Sequence, residues 1–130
     1  MSRRNWVLID TSVWVDLLRG TAAEALQHEV AALMRAGTAA WCGMVRLELW
    51  ARVRDARERK QLRHLDGALV DLSIDDSQWK AAVQVADRGR AAGISAPSSD
   101  LLIFACASAH KARILHNDRH FEALLGLNAT

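Results

Sequence analysis

Apolar residues fall along this chain in two rhythms. Trp6-Val7-Leu8-Ile9 is a short continuous run, too brief for a helix, and predicts a buried strand. Asp10-Thr11-Ser12 follows, three residues each able to cap a helix. Val13, Trp14, Leu17 and Leu18 then repeat at helical spacing up to Gly20. Leu26, Val30, Leu33 and Met34 mark a second helix, closed by Gly37, and Ala39 to Cys42 a weaker strand. Val45, Leu49 and Val53 share one face of a third helix, and Leu62, Leu65 and Leu69 one face of a fourth. Val70 to Ile74 alternates like a partly exposed strand. Trp79, Ala82, Val83 and Ala86 predict a fifth helix ending near Gly93, with Trp79, like Trp6, placed in the core. After Pro97, Ser98-Ser99 reads as the cap of a sixth helix. That helix is apolar almost all round from Leu101 to Ala107 and so belongs at the centre of the fold. Ile114-Leu115 gives a last strand and Phe121 to Leu125 a closing helix.

Strands alternating with helices predict a parallel sheet covered on both faces. Ligands of such sheets sit at the carboxyl ends of the strands. Four acids stand beside apolar runs: Asp10 and Asp118 at two strand ends, Asp100 at the start of the sixth helix, and Glu48 within the third. A carboxylate beside a buried segment costs free energy unless compensated, and several in one pocket repel each other. A divalent cation resolves both difficulties, and oxygen-rich donors suit Mg²⁺ or Mn²⁺. Each acid also has a local explanation. Asp10 can cap its helix, Asp118 can hold a turn with Asn117, and Asp100 can face the helix dipole. Glu48 can pair with Arg52 one turn on, a contact of about 0.2–0.5 kcal/mol. Four independent caps, however, have no reason to gather on one edge of a sheet.

The length of 130 residues suggests one domain, residues 1–130. Net charge is only +2, which alone does not argue for nucleic acid. The charge is unevenly spread, however. Arg46, Arg52, Arg54, Arg57, Arg59, Lys60 and Arg63 face only Glu48, Asp55 and Glu58, so residues 46–63 carry net +4. That segment is either a phosphate-binding patch or a solvated helix face. Cys42 and Cys106 lie in apolar surroundings and read as buried thiols, in keeping with a reducing cytoplasm. The apolar run after Met1 to Asn5 is too short for a signal peptide, and no segment is long enough to span a membrane.

The segments LIDTSVWVDLLRG (Leu8 to Gly20), GMVRLELWA (Gly43 to Ala51) and SDLLIFACASAHKARILHNDRHFEAL (Ser99 to Leu124) resemble the PIN-domain ribonucleases, and more closely the VapC-type toxins of bacterial toxin–antitoxin pairs. The resemblance implies a three-layer α/β fold, with a parallel sheet of about four to five short strands and about seven helices. It implies a metal-dependent endoribonuclease, using one or two Mg²⁺ or Mn²⁺ ions and leaving 5′-phosphate and 3′-hydroxyl ends. The family's acidic quartet falls on Asp10, Glu48, Asp100 and Asp118, with Asp10, Asp100 and Asp118 holding metal and Glu48 holding a second ion or the attacking water. Ser12 takes the position of a hydroxyl that supports the first acid. His120 stands where many relatives have a further Asp, and reads as an exposed helix-start residue or a phosphate contact. Implied partners are an RNA substrate such as transfer RNA, a cognate antitoxin whose helix fills an apolar groove, and a second copy in a homodimer. Trp14 and Trp50 border such a groove or belong to the core. Arg46, Arg52, Arg54, Arg57 and Arg119 are the candidate RNA contacts.

Readings from other classes fare less well. A non-catalytic PIN-like module that binds RNA or protein would have no need of all four acids. A phospho-acceptor signalling domain wants a second acid beside Asp10, where Thr11 and Ser12 stand. An Asp-nucleophile phosphatase wants an Asp two residues on, where Ser12 stands.

Overall fold

The computed structural model describes residues 5–128; Met1 to Arg4, the basic start of the chain, and residues 129–130 lie outside them. Four strands alternate with seven helices among these residues: β1 (Val7–Ile9), α1 (Thr11–Arg19), α2 (Glu24–Ala36), β2 (Ala39–Cys42), α3 (Gly43–Ala51), α4 (Ala56–Ala68), β3 (Val70–Leu72), α5 (Asp76–Ala91), α6 (Ser98–Ala109), β4 (Arg113–Leu115) and α7 (Arg119–Asn128). All pairings are parallel and the strand order is β3-β2-β1-β4. Two crossovers step from β1 towards β3, and the third returns past β1 to the far edge. With right-handed connections this places helices on both faces, giving three layers. The order reverses beside β1, so the crevice between the carboxyl ends of β1 and β4 is where such a sheet takes a ligand.

The continuous apolar run predicted for β1 has a clear cause. Val7, Leu8 and Ile9 are all buried because β1 is flanked on both sides and covered on both faces. Ile9 pairs with Leu115, and the Asp10 N–H donates to the Leu115 carbonyl at 2.9 Å, extending the ladder by one residue. Asp10 and the residues after Leu115 therefore leave the sheet side by side. Asp10 caps α1, its side chain accepting from the Ser12 N–H, and Gly20 ends α1 in the left-handed conformation at φ 74°. Burial continues through α6, where Leu102 to Ala107 are all inaccessible, as its all-round apolar sequence requires.

Three expectations need correction. Ser98 and Ser99 do not cap α6: Pro97 holds that position in extended conformation, and its carbonyl accepts from the Leu101 N–H at 3.1 Å. Val53 lies beyond α3, which stops at Ala51. Trp79 is 57% exposed, not core. The buried stripe of α5 runs instead through Gln78, Ala82, Val85 and Gly89, one step round the helix from Trp79 and Val83. Cys42 and Cys106 are free and buried. No helix among the described residues is long and apolar enough to cross a membrane.

Candidate functional site

Asp10 leaves β1 at the crevice and is only 3% exposed. One carboxylate oxygen, Oδ2, accepts from the Ser12 hydroxyl at 2.7 Å and the Ser12 N–H at 3.1 Å. The other, Oδ1, is buried with no hydrogen-bond partner. Ser12 does more than cap: its Oγ also accepts from the Asn117 N–H at 3.0 Å, tying the first acid to the loop that carries Asp118. Asn117 strengthens that tie by donating from Nδ2 to Asp16 at 2.9 Å.

Asp118 begins α7 from outside. Its Oδ1 accepts from the His120 N–H at 2.8 Å, and its own N–H donates to His116 Nδ1 at 3.2 Å. The first bond fixes the direction of the carboxylate and the second the backbone that carries it. Asp100 reaches the same spot from the first turn of α6, with its Oδ2 buried and unpartnered. Its carboxyl pKa is pushed up to about 7, first by burial, then by a hydrogen bond to Asp118 and by the negative charges of Asp118 and Asp10, against the opposing pull of His120. The paired carboxyl of Asp118 is held below its ordinary value. Burial works against that shift, but the His120 N–H, the hydrogen bond with Asp100 and the neighbouring histidines outweigh it. One proton shared between two carboxyls is the usual outcome when like charges meet with nothing between them.

His120 joins this pair. Its Nδ1 lies 3.2 Å from Asp100 Oδ2 and 2.8 Å from Asp118 Oδ1, and one ligand atom from each of the three residues falls within 4.8 Å of the others. The side chain is 31% exposed and turned into the cluster, not outward as its position at a helix start suggested.

Glu48 approaches from α3. Its Oε1 accepts from the Thr11 hydroxyl at 2.8 Å, and its Oε2 lies 4.0 Å from Arg52. The local pairing with Arg52 therefore exists, but at the limit of contact, and the Thr11 bond from 37 residues away is the closer one. The sequence read Thr11 only as a possible cap, Asn117 only as a turn residue and His120 as an exposed helix-start residue or a phosphate contact; the structure places hydrogen bonds or close contacts of all three at the acids. Thr11 had a visible signal, a buried hydroxyl one residue after the first acid.

The candidate RNA contacts are differently placed. Arg46 is paired with Asp66 at 2.7 Å, and Arg54 with the buried Glu58 at 2.7 Å. Arg57 donates one N–H to the Leu18 carbonyl at 3.0 Å, and Arg119 is exposed at the start of α7. Trp14 is buried, donating to the Ile9 carbonyl at 3.1 Å. One edge of its ring, with Leu17 and Leu18, meets Lys60, Gln61, His64 and Leu65 across a mainly apolar hollow of about 420 Å³ between α1 and α4. Trp50 is half-buried against the core, its indole N–H without a partner.

Known proteins resemble this chain in sequence and in fold. The PIN domain family matches residues 7–126. A VapC ribonuclease of Mycobacterium bovis and ribonuclease VapC11 of Mycobacterium tuberculosis are each 34% identical to this chain over 122 residues, spanning 91% of it and 90% of the relative. Among solved structures, VapBC2 of Rickettsia felis, bound to a promoter DNA fragment, superposes with a TM-score of 0.74 at 15% identity, covering 89% of this chain and 90% of that one. FitAcB of Neisseria gonorrhoeae superposes with 0.69 at 18% identity, covering 91% and 92%. A parallel sheet of reversing order, acids gathered at its switch point and a match across nearly the whole sequence agree: the chain belongs to the PIN-domain family, among proteins of VapC type.

Proposed function

We propose that this chain is a metal-dependent endoribonuclease that acts as the toxin of a toxin–antitoxin pair. The observation that carries the reading is the meeting of Asp10, Asp100 and Asp118 at one strand edge with buried, unpartnered oxygens on Asp10 and Asp100. Buried carboxylate oxygens without donors are costly, and persist where something outside the chain satisfies them. A Mg²⁺ or Mn²⁺ ion fits that donor set, held by Asp10, Asp100 and Asp118, with Glu48 reserved for a second ion or for the attacking water. Bound there, such an ion lowers the pKa of its water and offsets charge on the phosphate.

The chain's own residues supply the rest. Asp100 has to release its proton before it can serve as an anionic ligand. Ser12 holds Asp10 in one orientation, leaving Oδ1 directed away from the cap. Thr11 holds the Glu48 carboxylate in one orientation, in which it would orient a water or take up its proton. RNA is held by arginines with free donors, Arg52, Arg57 and Arg119. Arg46 and Arg54, committed to Asp66 and Glu58, add only a weakened field.

The relatives named as ribonucleases and the solved toxin–antitoxin complexes support an antitoxin partner. Its apolar helix would enter the hollow beside Trp14, Leu17 and Leu18. Trp79 and Val83, exposed one turn apart on α5, support pairing of two copies. The place of action is the cytoplasm, where RNA is the substrate.

The test is cleavage of total transfer RNA by purified, antitoxin-free protein, with Mg²⁺ or Mn²⁺, with chelator, and with Asp100→Asn as control. Discrete fragments that need metal and vanish in the variant are expected. A folded protein that binds metal but cuts no RNA of any class would leave the non-catalytic binding module as the better reading.

A further inference from the structure

His120 has no part in the reading above, yet it completes the tightest group of metal-ligating atoms among the described residues. Its Nδ1 approaches Asp100 Oδ2 and Asp118 Oδ1 at 3.2 and 2.8 Å, but neither contact has hydrogen-bond geometry. Nδ1 and Asp100 Oδ2 are both buried without a partner. Around an octahedral ion with bonds of about 2.1 Å, adjacent ligand atoms stand about 3.0 Å apart. The two spacings are therefore those of neighbouring corners on one small cation. Asp10, 3% exposed with Oδ1 unpartnered, stands outside this three-residue group but is tied to the loop of Asp118 through the Ser12 hydroxyl and the Asn117 N–H. The backbone that carries the ring is fixed without using Nδ1. The His120 N–H is bonded to Asp118 Oδ1, and Asp118 is fixed in turn by His116.

We propose that His120 is a direct metal ligand through Nδ1 and that this imidazole makes the site prefer Mn²⁺ to Mg²⁺. The proposal rests on the reading that Asp10, Asp100 and Asp118 hold a divalent cation. Mg²⁺ is hard, favours oxygen and gives up its waters reluctantly, so a nitrogen corner helps it little. Mn²⁺ accepts the same octahedral oxygen donors and takes an imidazole readily. Three carboxylates and one imidazole thus separate two ions that an all-oxygen site would distinguish less.

The experiment is Mn²⁺ and Mg²⁺ titration by calorimetry of the chelator-treated protein, with pulsed electron paramagnetic resonance on the Mn²⁺-loaded form. Wild type is compared with His120→Asp and His120→Gln. An acid at this position of α7 suits the helix start, so His120→Asp should fold, as circular dichroism will check. Expected are a ¹⁴N coupling in wild type that both variants lose, and a Mn²⁺ over Mg²⁺ preference that falls about tenfold in His120→Asp. Bound Mn²⁺ with no nitrogen coupling, or coupling that survives in the variants, overturns the role of His120 and leaves the acidic site standing. Absence of any Mn²⁺ binding overturns both.

Discussion

Two charged regions of this molecule obey opposite rules. At the ends of β1 and β4, Asp10, Asp100 and Asp118 are drawn together with buried oxygens that nothing satisfies. Along α3 and α4 the charges are more numerous, and two of the arginines are closely matched: Arg46 with Asp66, and Arg54 with Glu58, which also accepts from the Arg54 N–H at 3.0 Å. The first arrangement destabilises the folded chain on its own, and the second does not. Buried like charge without compensation is a feature a fold keeps for an external partner, whereas a matched exposed pair needs no other explanation. The contrast can be broken at either end.

The largest effect is expected from Asp100→Asn. The metal ion that would offset transition-state charge then loses an anionic ligand, and cleavage should drop on the order of 10²–10³-fold. Metal-free thermal stability at pH 8 should stay level or rise, because a buried charge facing two others has gone. Loss of activity together with loss of fold would mean that the acid cluster supports the structure, contrary to the comparison.

Asp100 also sets a pH dependence. Its folded pKa of about 7 lies above the ordinary carboxyl value, so the folded chain binds this proton more tightly than the unfolded chain does. The stability it confers is complete below about pH 4 and is lost as pH rises through 7. Asp118, shifted downward, contributes in the opposite sense, but only as pH falls below the ordinary carboxyl value, so the two windows barely overlap. Adding metal reverses the trend. Each ion bound at pH 6 should displace about one proton, and apparent affinity should weaken about tenfold per unit below pH 7. Calorimetry in two buffers of different ionisation enthalpy measures this. Proton release that is the same at pH 6 and pH 8.5 would remove Asp100 from the metal shell.

Ser12→Ala probes the orientation of the first acid more gently. Asp10 keeps the Ser12 N–H and the cap, but loses the 2.7 Å hydroxyl bond, and the Asn117 N–H loses its acceptor. A roughly tenfold weaker Mn²⁺ affinity is expected with little change in melting temperature. An unaltered affinity would reduce Ser12 to a cap.

The sequence made the acid edge legible chiefly because Asp10 and Asp100 adjoin apolar runs that are buried almost throughout. A four-residue apolar run between polar residues can only be a covered strand, and an all-round apolar helix can only be central. It misled where burial breaks the apolar rule. On α5 the inner face carries Gln78 and Gly89. Gln78 closes a capping box with Asp75 and reaches His110 at 3.4 Å. Gly89 sits close against Ile94, whose carbonyl lies 3.4 Å from where a Cβ would be. Neither is counted as core by periodicity, so the stripe was drawn one step round, through Trp79. The turn at Asp118 that swings His120 inward, and the bond from Thr11 to Glu48, depend on long-range placement that no spacing rule contains.

The basic segment gives the smallest and most discriminating test, because two of its arginines should fail differently. Arg57 gives one N–H to a carbonyl and keeps the rest of its guanidinium for solvent or phosphate. Its replacement by Gln should lower the slope of log affinity against log salt by about one on a non-cleavable RNA, measured with the Asp100→Asn protein to prevent turnover. Melting temperature should hardly change. Arg54→Gln should do the reverse. Glu58 is buried and would lose the bonds of 2.9 and 2.7 Å from the Arg54 side chain, keeping only the backbone N–H. A carboxylate left in that position lowers the melting point by a few degrees, while the salt slope stays near that of the wild type. If Arg54→Gln instead reduced the slope as much as Arg57→Gln, the ion pair with Glu58 would have to open on RNA. The matched charges of α4 would then belong, like the unmatched acids, to a surface completed only by its ligand.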